Sequence, residues 1–385
     1  MKILEVSDTH SHGGSGIAAN RIHSCLLNSG KEIIRATSDS EEHLSLFPGR
    51  KFFLVQSLLS YFGFNNLTKA LFSTEIKKQF SLLLRITNPE IVHFHNIHCA
   101  NWPIDIVKTA LDYTSVIWTL HDCWSFLGKF YPHHCPEASS QGIAKIESFW
   151  KGVSNHKNQL VAITPSQWMR EAAAKSKWRG RRITTICNPL PKSHFDIIDR
   201  QSAKKIIGLH SETPIILLIS ANLSEKRKGG DILNSIIKSK LIEKAQFVLV
   251  GNTSTIEIPS HPNLIKMGYI KDEITLKVLY SAADLLLHPA RIDNLPNTVA
   301  ESLSAGTPVL AFKVGGLPEM VIPNKSGWLV DNTDCESISR KLETIISTKS
   351  YAKLRESSKL TASKLFNSEN VSKLYHNEFE ALHSS

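Results

Sequence analysis

Short apolar runs alternate with longer amphipathic segments along almost the whole chain. In the first half, six runs ending in polar or turn residues predict β-strands: KILEV, EIIRAT, EIVHFH, SVIWTLH, LVAITP and RITTICN. Two prolines break this rhythm in NPLPKSHFD (188–196), after which a second series follows: PIILLIS, QFVLVG, LIKMGYI, DLLLHP, TPVLAF and GWLV. Strands that alternate with helical patterns are typical of open parallel sheets. The sequence therefore predicts two α/β units of the Rossmann type that face each other.

The length of 385 residues is too great for one ordinary core and fits two domains of common size. We expect a first Rossmann-like domain over 1–190 and a second over 191–366. A helix over 367–385 is expected to pack back toward the first domain. Because ligands of such sheets bind beyond the carboxyl ends of the strands, the cleft between the domains is the expected site.

Composition narrows the class of protein. No run approaches the roughly 18 apolar residues that span a bilayer, and the opening MKILEVSDTH has no secretory h-region. The six cysteines show no C-x-x-C spacing, which favours a cytoplasmic protein without a disulfide framework. The formal net charge of +10 favours phosphate-bearing ligands or anionic lipid. Nucleic acid is not an expected partner, because the basic residues are dispersed and no nucleic-acid-binding signature accompanies them.

The stretch HGGSGIAAN (12–20) contains a G-x-G-x-x-A pattern formed by Gly14, Gly16 and Ala19. In a dinucleotide turn the glycines follow the strand almost at once, whereas six residues intervene here. The alternative is a glycine loop that lets the backbone approach an anion or sugar, with donor amides at a helix that begins at about Ser15. A turn that binds no ligand is a third interpretation.

The segment HPARIDNLPNTVAESLSAGTPVLAFKVGGLPE (288–319) contains the richest chemistry. Asn294 is a plausible N-cap and Pro296 a first-turn residue of a helix. Asp293 and Glu301, eight positions apart, would then lie about 12 Å apart on nearly one face. One carboxylate can meet a sugar and the other a ribose, with a diphosphate at the helix amides between them. Alternatively, Asp293 favours the helix dipole and Glu301 pairs with a lysine.

The turn SANLSEKRKGGD (220–231) places Arg227 and Lys228 after another predicted strand. Cations at this position can neutralise the charge that develops on a departing diphosphate. The alternative is a solvated basic turn.

Taken together, these motifs resemble a known family. The D-x7-E pair, SLSAGTPV, GGLPE, GWLV and the KRKG turn resemble the donor domain of GT-B glycosyltransferases of the large retaining family four. Upstream, VHFHNIHCANW (92–102), WTLHDCWSF (118–126) and ITPSQWMREAA (163–173) resemble the branch that builds bacterial exopolysaccharides of the colanic-acid type. The resemblance covers nearly the whole chain in the right order.

The resemblance implies a donor site built from both domains. The loop glycines would lie beside the diphosphate, the two cations of the KRK turn would bind the phosphates, and the two carboxylates would bind the sugar hydroxyls and the ribose. The stretch 268–270 would flank the base, and the loop 294–296 would meet the phosphates and sugar. The donor-binding residues are then Gly14, Gly16, Arg227, Lys228, Gly268, Tyr269, Ile270, Asp293, Asn294, Leu295, Pro296 and Glu301.

The resemblance also implies a catalytic group and an acceptor site. His121 would approach the reacting face of the sugar and act together with Asp293, Arg227 and Lys228. The expected acceptor-binding side chains are His98, Asp122 and Trp124. For His98, as for His95, packing at the end of a strand is the alternative to acceptor binding. The family transfers with retention at the anomeric carbon, without a bound metal and without a cofactor, from a UDP- or GDP-sugar.

Two departures from the family pattern stand out. Asp293 replaces the usual glutamate and is one methylene shorter, which predicts a shift in sugar preference. The cysteine-rich loop of the branch is reduced to Cys123, Cys135 and Pro136, so acceptor contacts built on that loop are not carried over. The same region offers zinc-ligand types in His121, Cys123, His133, His134 and Cys135, but their spacing matches no standard site, and we expect no metal.

Residues 47–86 mix large apolar side chains with Arg and Lys at helical spacing. This pattern favours helices that pack on the sheet, while an interfacial surface facing a lipid-linked acceptor is the alternative. We therefore expect a cytoplasmic enzyme, peripheral to the inner membrane, that moves a sugar to a polysaccharide or lipid-linked oligosaccharide acceptor. The alternatives are a catalytically silent nucleotide-sugar-binding scaffold and an NAD-linked oxidoreductase.

Overall fold

Two parallel β-sheets organise the chain. The computed structural model describes residues 1–27, 30–39, 44–45, 65–132, 139–154, 156–196, 198–209, 213–254 and 259–384. Among them, the first sheet has seven strands in the order β3-β2-β1-β4-β5-β6-β7. These are β1 (Lys2–Val6), β2 (Glu32–Thr37), β3 (Leu44–Ser45), β4 (Ile91–Phe94), β5 (Ser115–Thr119), β6 (Leu160–Thr164) and β7 (Ile183–Thr185).

Helices cover both faces of this sheet. Their apolar sides contribute to two buried clusters, one on each face. The first-domain helices are α1 (Gly13–Leu27), α2 (Asn65–Thr87), α3 (Asp105–Tyr113), α4 (Trp124–Leu127), α5 (Ser140–Val153) and α6 (Gln167–Ala174). This is the doubly wound arrangement that buries a parallel sheet on both sides.

The second sheet has six strands in the described residues, in the order β10-β9-β8-β11-β12-β13. They are β8 (Ile215–Asn222), β9 (Gln246–Asn252), β10 (Leu264–Gly268), β11 (Leu285–His288), β12 (Val309–Phe312) and β13 (Gly327–Val330). The α-helices after β7 in the chain are α7 (Arg200–Ile206), α8 (Gly230–Ile237), α9 (Leu241–Lys244), α10 (Glu273–Ala282), α11 (Asn297–Ser304), α12 (Leu317–Met320), α13 (Cys335–Thr348), α14 (Arg355–Phe366) and α15 (Ser368–His383).

The chain passes between the two sheets twice, and the two passages lie side by side. Leu190 forms an isolated bridge with Asn367, and its backbone N–H donates to the carbonyl of Phe366 at 2.8 Å. Beyond this crossing, α15 packs on the first sheet, where Tyr375 and Phe379 join the cluster that contains Ile3.

The predicted fold class is confirmed: two parallel-sheet α/β domains face each other, and every strand predicted from the apolar runs is present. The two-residue edge strand β3 was missed, because so short a segment shows no alternation. Of the predicted surface segment 47–86, residues 47–64 lie outside the described residues and the remainder belongs to α2. Among the described helices, none is long and apolar enough to cross a membrane.

Candidate active site

The carboxyl ends of β8 and β11, where the strand order of the second sheet reverses, bring Lys228 and Asp293 together. The Nζ atom of Lys228 lies 2.6 Å from Oδ2 of Asp293, and Nε2 of His288 lies 3.4 Å from the same oxygen. Burial alone would raise the pKa of Asp293, but the adjacent Lys228 and His288 hold that pKa well below its usual range. Asp293 is therefore an ionised hydrogen-bond acceptor at the point where open α/β sheets bind ligands.

Glycines make the close packing around Asp293 possible. A Cβ on Gly315 would overlap the carbonyl oxygen of Asp293, and one on Gly316 would overlap that of Asn294. Gly315 also has a φ of +57°, in the left-handed region that side chains disfavour. The GGLPE motif thus holds the loop that carries Asp293 against the turn before α12.

Arg227 lies beside Lys228 in the same turn but has different partners. Its Nε donates to Oε1 of Glu225 at 2.7 Å, and its guanidinium lies 5.5 Å from the ring centroid of the first-domain residue Tyr131. Both cations are therefore paired: Lys228 with Asp293, and Arg227 with Glu225 of its own turn.

The helix that follows Asp293 begins later than the sequence predicted. α11 begins at Asn297 with Pro296 at the N-cap, so the prediction that Asn294 caps the helix is wrong. Its side chain instead reaches the first domain: Oδ1 accepts a hydrogen bond from Ser166 at 2.6 Å, and Nδ2 donates to the carbonyl of His121 at 3.0 Å. Asp293 consequently lies in a loop and does not share one helix face with Glu301.

Glu301, on α11, is buried and held from both sides. Its Oε1 lies 2.7 Å from Nη2 of Arg21, which comes from α1 of the first domain. Its Oε2 accepts a hydrogen bond from the Tyr280 hydroxyl at 2.9 Å. The same Arg21 nitrogen also contacts Glu273 at 2.9 Å and Nε2 of His194 at 3.3 Å. The partner of Glu301 is thus an arginine and not the lysine of the alternative prediction.

The carboxyl ends of β4 and β5 bring together the predicted acceptor residues. Nε2 of His98 lies 3.3 Å from Oδ2 of Asp122, and the His98 ring stacks on Trp124 with centroids 4.9 Å apart. The backbone N–H of Trp124 donates to the other Asp122 oxygen at 2.9 Å. Burial alone would lower the pKa of His98, but the Asp122 carboxylate raises it to about 10.

His121 has the opposite electrostatic character. Burial lowers its pKa to about 4, so its imidazole is neutral near pH 7. Its Nε2 lies 3.0 Å from Nδ1 of His95, which the sequence left undecided between acceptor binding and packing. His121 is therefore suited to neutral hydrogen bonding rather than to carrying a proton.

The opening glycine loop contacts the second domain directly. α1 begins at Gly13, two residues before the predicted start, and the carbonyl of Gly14 accepts a hydrogen bond from Nδ2 of Asn297 at 2.9 Å. On the other side of the cleft, Glu319 accepts the N–H groups of Gln167 and Trp168 at 2.7 and 2.9 Å. Together with the contacts of Asn294 and Arg21, these hydrogen bonds join the two domains.

Other predicted residues lie outside this contact network. Tyr269, just after β10, is 58% exposed, whereas Ile270 packs partly against the second-domain core and Leu295 is buried within it. Gly268 has a φ of +69° and open space where a side chain would project. Residues 133–135, which carry zinc-ligand side chains in the sequence, lie outside the described residues.

Part of the chain matches a known protein family. The family model described as Glycosyl transferases group 1 matches residues 213–348, which span the second sheet. Over 275 residues the chain is 24% identical to the putative colanic acid biosynthesis glycosyl transferase WcaC of Escherichia coli K12, covering 64% of each chain. The chain spans less than two thirds of the length of the curated relatives it matches.

Solved structures resemble the whole chain. Sucrose-phosphate synthase from Thermosynechococcus elongatus superposes with a TM-score of 0.73 at 18% identity, covering 99% of this chain and 100% of that one. Anabaena HepE in complex with UDP-glucose gives a TM-score of 0.70 at 16% identity, with the same coverage. The protein therefore has the GT-B fold, and residues 213–348 of its second domain match the model of glycosyl transferases group 1.

Proposed function

We propose that the protein is a retaining glycosyltransferase that moves a sugar from a nucleotide-diphosphate sugar to a saccharide acceptor. The observation that carries this proposal is the ionised, buried Asp293, paired with Lys228 at the switch point of the second sheet and covered by the first domain. A carboxylate beside a lysine offers acceptors for sugar hydroxyls and a cation for phosphate in one place.

The donor would lie along the second domain. Lys228 and Arg227 would bind the diphosphate, Glu301 the ribose, and residues 268–270 the base. HepE in complex with UDP-glucose, which has the same fold, supports a nucleotide sugar as ligand. The glycine loop at Gly14 would approach the diphosphate from the first domain, since it already contacts the N-terminus of α11.

The proposed chemistry is a front-face displacement. The bond from the anomeric carbon to the diphosphate oxygen breaks while the acceptor oxygen bonds to that carbon on the same face. The departing phosphate oxygen takes the acceptor proton, and the two cations stabilise its charge. Neutral His121 would orient the sugar without exchanging a proton, and the closed cleft would exclude water. We propose that transfer needs no metal at the diphosphate.

The acceptor would be a polysaccharide or lipid-linked oligosaccharide of a bacterial surface polysaccharide, bound beside His98, Asp122 and Trp124. The putative colanic acid relative supports this substrate class. We also propose that the protein belongs to retaining family four. Four exposed apolar residues of α2 support a peripheral contact with the cytoplasmic face of the inner membrane, since they lie within an arc of about 100°. They are Leu67, Leu71, Leu82 and Ile86.

The proposal is tested by transfer from labelled UDP- and GDP-sugars to saccharide acceptors, with NMR assignment of the product anomer. We expect Lys228→Ala to lower kcat/KM by about 100-fold or more, because it removes a cation from the developing phosphate charge. The matched control is Lys226→Ala, in the same turn but exposed, which should stay within about twofold of the unaltered protein. Equal activity of the two variants would contradict the assignment of Lys228.

Retention and catalysis are tested separately. Inversion at the anomeric carbon would contradict the retaining mechanism, even if transfer occurs. If the protein binds the donor but transfers sugar to none of the acceptors, the result would instead support a silent nucleotide-sugar-binding scaffold. The reason for that alternative is Asp293, which is one methylene shorter than the usual glutamate.

A further inference from the structure

A second group of ionisable side chains lies inside the first domain, beneath His121. Glu5 of β1 is the direct register partner of His93 of β4, and His95 follows two residues later, immediately after the end of that strand. Because side chains alternate along a strand, all three point to the same face of the sheet. That face is covered by α1 and α15, and the three side chains are 0%, 0% and 1% exposed.

Within the part of the chain that the structure describes, each of these three residues has one polar atom without a hydrogen-bond partner. The atoms are Oε1 of Glu5, Nδ1 of His93 and Nε2 of His95. A ligand atom from each residue lies within 4.8 Å of those from the other two, and Nδ1 of His93 is 3.6 Å from Oε1 of Glu5. A tetrahedral zinc ion with bonds of about 2.0–2.1 Å places its ligands roughly 3.3 Å apart, so a small contraction would close the site.

The second polar atom of each residue is already fixed. His23 Nδ1 lies 2.5 Å from Oε2 of Glu5, and Nε2 of His93 lies 2.8 Å from the Thr119 hydroxyl. Nδ1 of His95 lies 3.0 Å from Nε2 of His121. With those second nitrogens donating, each histidine directs a lone pair toward the same space. This is the outer shell that orients metal-ligating histidines.

We propose that Glu5, His93 and His95 bind one Zn²⁺ ion inside the first domain. Two imidazoles and a carboxylate are a known zinc ligand set, and imidazole ligands favour zinc over magnesium or calcium. Burial, together with His93 and His121, keeps the pKa of His95 well below its ordinary value, so its nitrogen is unprotonated. This ion would lie behind His121, and its binding does not depend on the glycosyl transfer proposed above.

The charge balance sets the expected strength of the site. Glu5 supplies one negative charge. Burial alone would raise the pKa of Glu5, but its histidine partners lower that pKa to about 2. Arg35 lies nearby, with its two Nη atoms bound to Asn20 and the carbonyl of His10. Its positive charge opposes a cation, so we expect a site of moderate affinity whose occupancy depends on both imidazoles.

The test is the metal content of the full chain after chelator treatment and equilibration with zinc, read by elemental analysis. We expect one zinc per chain, a tetrahedral cobalt spectrum on substitution with Co²⁺, and a thermal midpoint raised by about 5 °C at saturating zinc. His95→Gln should weaken binding at least tenfold while keeping the far-UV circular dichroism spectrum of a folded chain.

The control is His133→Gln/His134→Gln, which removes two of the three histidines of the other candidate zinc set and should bind zinc like the unaltered protein. Less than 0.1 zinc per chain in the unaltered protein would overturn the proposal, a result that needs no variant to fold. Equal zinc affinity in folded His95→Gln, or loss of zinc in the control, would also overturn it.

Discussion

Replacement of Arg21 by methionine tests whether the first domain holds Glu301 in place. Arg21 and Glu301 come from different domains, and their side chains are 5% and 9% exposed. Methionine keeps the apolar stem of the side chain but removes the guanidinium group and its charge. Among the described residues, the Tyr280 hydroxyl then remains as the side-chain partner of Glu301.

The expected loss of stability follows from the burial of Arg21 and Glu301. Removing one partner of a buried ion pair costs about 3–5 kcal/mol, because the remaining charge stays desolvated and unpaired. The second carboxylate near Arg21, on Glu273, is 55% exposed and adds little. Taking about 3 kcal/mol, the thermal midpoint should fall by roughly 6–12 °C for a domain of this size.

The assay is a double-mutant cycle followed by scanning calorimetry. Arg21→Met/Glu301→Gln should recover at least half of the loss, because a neutral amide leaves no unpaired charge. The control is Arg340→Met, which removes the exposed pair with Glu336 and should shift the midpoint by less than about 2 °C. The reasoning is refuted if Arg21→Met behaves like that control, or if the double variant loses the sum of both single effects.

Two further predictions concern backbone space and pH. Gly315→Ala should lower the thermal midpoint well below that of Gly14→Ala, because a Cβ at position 315 would overlap the Asp293 carbonyl whereas nothing lies within 4 Å at position 14; equal midpoints would contradict this. Burial lowers the pKa of His98 but Asp122 raises it to about 10 from 6.5, so protonated His98 stabilises the fold fully below pH 6.5 and this contribution is lost as the pH rises toward 10. The stability advantage over His98→Gln, measured by urea unfolding, should therefore shrink across that range, and a constant advantage would exclude a titrating His98.

The sequence was sufficient for most of the fold, because each strand longer than two residues produced a recognisable apolar run. Predictions from neighbouring residues were less reliable where the two domains contact each other. Asn294 satisfies the rule for a helix cap, yet its side chain bonds to Ser166, 128 positions away. No local pattern contains such a partner, so the predicted N-cap of α11 lies two residues before the observed one, Pro296.

In the candidate site, too, some residues could be predicted from the sequence nearby, whereas others depend on partners far away in the chain. Lys228 and Asp293 follow predicted strand ends, and that position together with the family resemblance made both of them candidates. Arg21 was missed because one arginine within a helix is usually solvent-exposed, and only the tertiary fold reveals Glu301 against it, 280 positions away. Glu5 was missed for a similar reason, since a single acid in an apolar run gives no indication that His93 on β4 and His95 just after it lie beside that acid.

The central claim is that the cleft beside Asp293 and Glu301 binds a nucleotide sugar. Calorimetric titration of the full chain with UDP, GDP, ADP, their common sugar conjugates and NAD tests this claim most directly. We predict saturable binding of one nucleotide-sugar class at one site per chain, weakened at least tenfold in Glu301→Gln, with no binding of NAD. Binding of NAD together with silence across all sugar nucleotides would contradict the account and make HGGSGIAAN a dinucleotide turn.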